Sequence, residues 1–204
     1  MASIIERRRE EEEAAGSVWS NRFLKSVVVQ GSIVTGLAII FVLGQVLYSS
    51  SALNIIQFLS LSFEGPAKWI FLGYILYIIL AVAIATIALF YNHFDINLHK
   101  SIRGSRCLLA WVHLIGINAG GACVTITMIF AGLIGSGIFG VVASGSVATQ
   151  LKPNTEVMVQ FILPISVFAA VLVTGVIAGG IVFITNYLGM KNSGDRIDTI
   201  RRAY

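Results

Sequence analysis

Four stretches of this chain are almost free of charge, and each is long enough to cross a lipid bilayer as a helix. Residues 26–63, 69–94 and 107–150 hold no Asp, Glu, Lys or Arg, and 153–190 holds only Glu156. A bilayer's hydrocarbon core is about 30 Å thick and a helix rises about 1.5 Å per residue, so one span takes about 20 apolar residues. Inside lipid the backbone N–H and C=O groups have no water to bond. A helix pairs them within its own segment, whereas an open strand leaves them bare. The expected fold is therefore all-α, an integral membrane bundle of four transmembrane helices. The spans fall at about 26–48, 68–91, 106–133 and 156–188, within a transmembrane domain 26–190. Composition agrees: 12% of residues are charged, 56% are hydrophobic and the mean hydropathy is +0.86. A soluble domain carries about a quarter charged residues.

The positions of the basic residues predict the topology. Arg7, Arg8, Arg9, Arg22 and Lys25 precede the first span, while Lys100, Arg103 and Arg106 follow the second. Lys191, Arg196, Arg201 and Arg202 follow the fourth, and only Lys68 and Lys152 lie in the other two connections. Loops rich in Lys and Arg stay on the cytoplasmic side, so both termini are expected there. The net charge of +4 is explained by topology and calls for no nucleic-acid partner. The first apolar stretch lies behind a charged arm, 1–25, and no cleavage site follows at a suitable distance, so the first helix is expected to anchor itself. Cys107 and Cys123 fall on one helix about 24 Å apart, too far for a disulfide. With no Asn-x-Ser/Thr site present, a prokaryotic cytoplasmic membrane is the expected location, with lipid and other integral membrane subunits as neighbours.

In the arm, Arg7, Arg8 and Arg9 pair at i,i+4 with Glu11, Glu12 and Glu13, which suits a short surface helix or a solvated segment. Trp19, Phe23 and Lys25 read as an interfacial anchor. Leu53, Ile56, Leu59 and Phe63 recur at helical spacing, as in a short external amphipathic helix lying on the membrane. Pro66 opens the second helix, whose Ile, Leu and aromatic content makes it the most lipid-like of the four. Gly135, Gly137, Gly140 and Gly145 mark an external connection. Pro164 predicts a kink in the fourth helix, and 191–204 reads as a basic cytosolic tail.

The third helix carries the most information. His113, Gly116, Gly120, Cys123 and Thr127 lie on one face, and Asn118, Gly121, Thr125, Met128 and Gly132 on another. Small residues mark helix–helix contacts in membranes, because they let backbones approach. Two such seams place this helix between neighbours. The fourth helix has a matching surface through Ser166, Ala170, Thr174 and Ala178, with Gly175 and Gly179, and the first adds Ser32, Thr35 and Gly36. This exceeds what a lone bundle needs. One seam is expected to serve the chain's own bundle and the other a partner, either another subunit or a second copy.

His113 is the one intramembrane ionisable side chain besides cysteine, and such residues are functional candidates. It is expected to be a neutral imidazole hydrogen-bonded across the bundle near Asn118. A redox site centred on it would need a second ligand, and His93 lies about 10 Å away along the membrane normal. His93, Asp95 and His99 form a second cluster of metal-ligand types, in a spacing that matches no specific motif. The stretch Ala110-Trp111-Val112-His113-Leu114-Ile115-Gly116-Ile117-Asn118, continuing to Ala131-Gly132-Leu133-Ile134-Gly135, resembles core helices of haem-copper oxidase subunits. The neighbouring copper-ligand histidines of that family are missing, so no catalytic residue is carried over.

The leading expectation is a small, non-catalytic accessory subunit of a multiprotein membrane complex, such as an energy-transducing oxidase or monooxygenase. It has no cofactor of its own; any haem or copper would sit in a partner subunit. One alternative is a channel or small transporter in which residues 132–145 re-enter the membrane as a pore loop. The other is a haem- or metal-binding redox protein built on His113.

Overall fold

A computed structural model describes residues 18–48, 65–97, 102, 105–137 and 155–202, and every element in them is helical. α1 runs Val18–Tyr48, α2 Ala67–Asn92, α3 Ser105–Ile115, α4 Gly121–Gly135 and α5 Thr155–Arg202. A π-helical turn, Gly116–Gly120, joins α3 to α4, so these two make one interrupted span, and a second π-turn, His93–Asn97, ends α2. Among the described residues, four helical stretches are long and apolar enough to cross a membrane: Val18–Gly44, Lys68–Ile96, Arg106–Gly135 and Met158–Tyr187. This is the build of a multi-pass membrane protein with a helical bundle.

α1 packs along α2, α2 along α4, and α3, the π-turn and α4 all pack along α5. The third span is thus flanked on two sides. Half of its apolar window is buried, against 28% for the second, 22% for the fourth and 6% for the first. The second helix, lipid-like in composition, is thus more buried than the first. Apolar content does not separate lipid-facing from protein-facing surface, since lipid tails are as apolar as a core. The bulk on α2 fills the gaps left by glycines on α4. Ile70, Tyr77, Leu80 and Ile84 are all buried.

Two turns explain how α2 and α4 start and stop at the same end of the bundle. Pro66 caps α2 at φ −64°, where a missing N–H costs nothing. α4 closes on Gly137 at φ 78°, with the Gly137 N–H donating to the Ile134 carbonyl at 3.1 Å. Gly132 packs on α2, and Gly135, the first glycine of the predicted external connection, lies inside α4 against Met158 of α5 and Pro66, so it serves a helix contact. Gly140, Gly145 and the proposed pore loop beyond Gly137 fall outside the described residues, as do the arm 1–17 and the amphipathic segment 53–63.

The first helix begins at Val18 rather than near 26, and the fourth continues past 188 to Arg202 with Pro164 inside it. The interfacial anchor is also placed differently. Trp19 and Phe23 are 5% and 0% exposed, packed among the rings of Tyr91 and His113. The aromatic partners of these two side chains come from α2 and from α3.

Candidate functional site

The third span meets α5 through glycines. A Cβ on Gly116 would lie 2.6 Å from the Gly175 Cα, and one on Gly175 2.8 Å from the Gly116 Cα. One on Gly120 would lie 2.6 Å from the Leu172 backbone nitrogen. No side chain fits at any of the three positions without moving a backbone. On the opposite face, a Cβ on Gly121 would meet the Leu80 methyls at 2.6 Å, and one on Gly132 the Ile70 nitrogen at 2.6 Å, both from α2. Both seams therefore face helices of this same chain, which corrects the expectation that one of them is reserved for a partner. A lone bundle of this topology uses two tight faces on its central member, because α2 and α5 lie on either side of it.

The π-turn explains why the first seam does not run straight. It adds a residue to the helix and rotates everything beyond it. Cys123 and Thr127, the predicted continuation of the seam, are half-buried. Asn118 sits within the turn and its amide donates to the Leu114 carbonyl at 2.9 Å. Its Oδ1 accepts from Gln30 Nε2 at 3.2 Å, and Gln30 Oε1 accepts from the Tyr77 hydroxyl at 2.7 Å. This chain of three side chains ties α1 and α2 to the π-turn. Gln30 is one of two amides in the predicted first span, with Gln45, a legible signal that the seam pattern on the third helix overshadows.

His113 occupies a box at the same end as the α1 N-terminus. It is 3% exposed, and neither ring nitrogen has a hydrogen-bond partner. The expected bond across the bundle is absent. The walls are Phe23 at 5.2 Å, Phe183 at 5.8 Å and Tyr91 at 6.0 Å between centroids, each set steeply to the imidazole. Steep ring contacts are weak partners for an N–H, so leaving the imidazole otherwise unpaired costs about 1–3 kcal/mol. The remaining wall is the backbone of Gly179, where a Cβ would fall onto the imidazole ring itself. The Tyr91 hydroxyl and Asn186 Nδ2 are also buried without partners, while Asn186 Oδ1 accepts from Arg106 Nη1 at 2.7 Å.

No group of three or more metal-ligand side chains comes together among the described residues. His93 is exposed and Asp95 half-buried on the π-turn that ends α2, and His99 lies outside the described residues. Haem or copper ligation at His113 would need a second ligand, and its neighbours are aromatic rings and a glycine backbone.

On the outer surface, a groove of about 580 Å³ runs between α3 and α5, lined by Leu108, Trp111, Ile115, Gly116, Ala170 and Thr174. Its α5 side holds Ala170 and Thr174 with Val167 and Val171, and Ser166 stands exposed one turn further along the same helix. The Ser166 and Thr174 hydroxyls donate to the carbonyls four residues back, both at 2.8 Å. Sequence reasoning singled out these small residues but could not tell that Gly175, Ala178 and Gly179 turn inward while Ser166, Ala170 and Thr174 turn outward.

No protein-family model matches the chain. No curated protein and no solved structure matches it either.

Proposed function

We propose that the chain is a non-catalytic accessory subunit of a larger membrane complex, held to its partner through the face shared by α3 and α5. The observation that carries this reading is the exposed small-residue edge Ser166, Ala170 and Thr174 beside the α3–α5 groove. Surfaces that face only lipid carry large apolar groups, while small residues let a second helix backbone approach. The two hydroxyls on this edge are bonded to their own helix, so a partner helix docks there without stranding a donor. α1 offers a similar face: the Ser32 and Thr35 hydroxyls bond back at 2.8 Å, and nothing lies within 4 Å of a Cβ on Gly31 or Gly36. The role is to fill space beside a partner's helices and fix their spacing. A haem or copper, in this reading, belongs to that partner. The proposal also places both termini on the cytoplasmic side of a prokaryotic cytoplasmic membrane, on the strength of the lysine and arginine distribution.

The test is gentle extraction from native membranes followed by a native gel and mass spectrometry. The wild-type chain is expected to travel with other integral membrane proteins and, once separated from them, to show no haem absorbance. Ala170→Leu puts bulk on the exposed edge without touching the bundle, so it should leave abundance unchanged and release the chain from the complex. A wild-type chain that migrates alone, or a Soret band that vanishes in His113→Ala, overturns the reading.

A further inference from the structure

Residues at the ends of transmembrane spans lie in the headgroup layer, and one such end of this bundle is built around a guanidinium. The Arg22 Cζ lies 4.6 Å from the ring centroid of Trp19 and 4.6 Å from that of Trp111. The two indoles meet edge-on at 5.7 Å and 79°. Two aromatic neighbours at this range attract the cation and restrict its rotamers. No carboxylate among the described residues pairs with Arg22. Lys25 follows at i+3, on the same side of α1, and is exposed.

Between α1 and the third span these two cations form the lip of a cleft of about 430 Å³, whose inner end reaches Gln30 and Asn118. Gln30 lies eight residues beyond Arg22, about 12 Å along the helix. Its amide and that of Asn118 are already engaged with each other, with Tyr77 and with the Leu114 carbonyl. The free charge of the cleft is therefore confined to its lip. The walls below are Val29, Leu114, Ile115 and Ala119.

We propose that this cleft holds one anionic phospholipid, with its phosphate on Arg22 and Lys25 and an acyl chain along Val29, Leu114, Ile115 and Ala119. The charge at the lip complements a phosphodiester, and guanidinium is the side chain best suited to bind one in the plane of its fork. The apolar trough complements a tail. A zwitterionic lipid brings its own cation beside two others and gains less. A free phosphate satisfies the lip but leaves the trough unused. The inference rests on the spans crossing a bilayer and is independent of the accessory role.

The test is native mass spectrometry of the full-length chain in detergent, with phosphatidylglycerol or phosphatidylcholine added at equal concentration. One phosphatidylglycerol should be retained in preference to phosphatidylcholine. Lys25→Gln, at an exposed position, should weaken binding about fivefold, and Arg22→Gln with Lys25→Gln about 25-fold, as expected for basic residues near an anionic surface. Lys68→Gln removes a cation from the opposite end of the bundle and should change nothing. Ala119→Phe fills the trough with both cations intact and should also expel the lipid. Glycerol phosphate, the headgroup without tails, should fail to displace it at equal concentration. Equal retention of the two lipids, displacement by glycerol phosphate, or unchanged binding in Lys25→Gln or Ala119→Phe overturns the proposal.

Discussion

A methyl group on Gly179 would fall on the His113 imidazole, so the smallest possible substitution there competes directly with a buried ring. The imidazole has no hydrogen bond to hold it and is positioned by shape alone, between Phe23, Tyr91, Phe183 and the glycine. Gly179→Ala should therefore destabilise the bundle by about 1–3 kcal/mol, the usual cost of overpacking a tight site. Removing the ring should relieve the clash: in Gly179→Ala with His113→Ala, thermal unfolding followed by far-UV circular dichroism should show less loss than the sum of the single variants. Strict additivity would mean that the two residues do not share this space. The glycine was legible in the sequence as part of a small-residue pattern. Its specific partner was not, because the pattern gives a face of a helix but not the side chain that arrives there from another element.

At the scale of elements, the third span is held on both sides, but by different kinds of contact. A Cβ on Gly120 meets the backbone of α5 at Leu172, whereas one on Gly121 meets the flexible end of Leu80 on α2. A leucine side chain can change rotamer; a helix backbone moves only as a whole. Gly120→Ala should lower thermal stability clearly more than Gly121→Ala, although the two positions are adjacent. Equal losses would indicate that α5 yields as easily as a side chain. The π-turn that contains Gly120 was not legible at all. Nothing in the spacing of Gly116, Asn118 and Gly120 distinguishes a wide turn from an ordinary one, and the turn is stabilised from outside, by Gln30 of α1 holding Asn118. Gly73 of α2 was missed for a related reason. It is a single glycine in an aliphatic run, yet a Cβ on it would come within 2.8 Å of the Thr125 carbonyl oxygen.

For the whole molecule, the prediction concerns topology. In a chain whose Cys107 and Cys123 are replaced, cysteines introduced at Ser50 and Thr149 should react with a membrane-impermeant label from outside the cell, and cysteines at Ser17 and Ser193 should not. Labelling from outside at Ser193 would reverse the orientation, and protection at Ser50 would break the four-span order. The number of apolar helices and their all-helical character were determined by the sequence alone. Long charge-free windows leave the backbone no way to satisfy its hydrogen bonds in lipid except within a helix, and that constraint is local. Which helix faces lipid was decided only in the tertiary structure. α2 reads as the most lipid-like and is more buried than α1, because burial inside a membrane bundle follows the fit of bulk into glycine gaps rather than apolarity. The same holds for polar groups. Sequence spacing put His113 beside the small residues of its own helix, but its lack of a hydrogen bond depends on rings from α1, α2 and α5, and on a glycine 66 positions away in the chain that leaves just enough room for it.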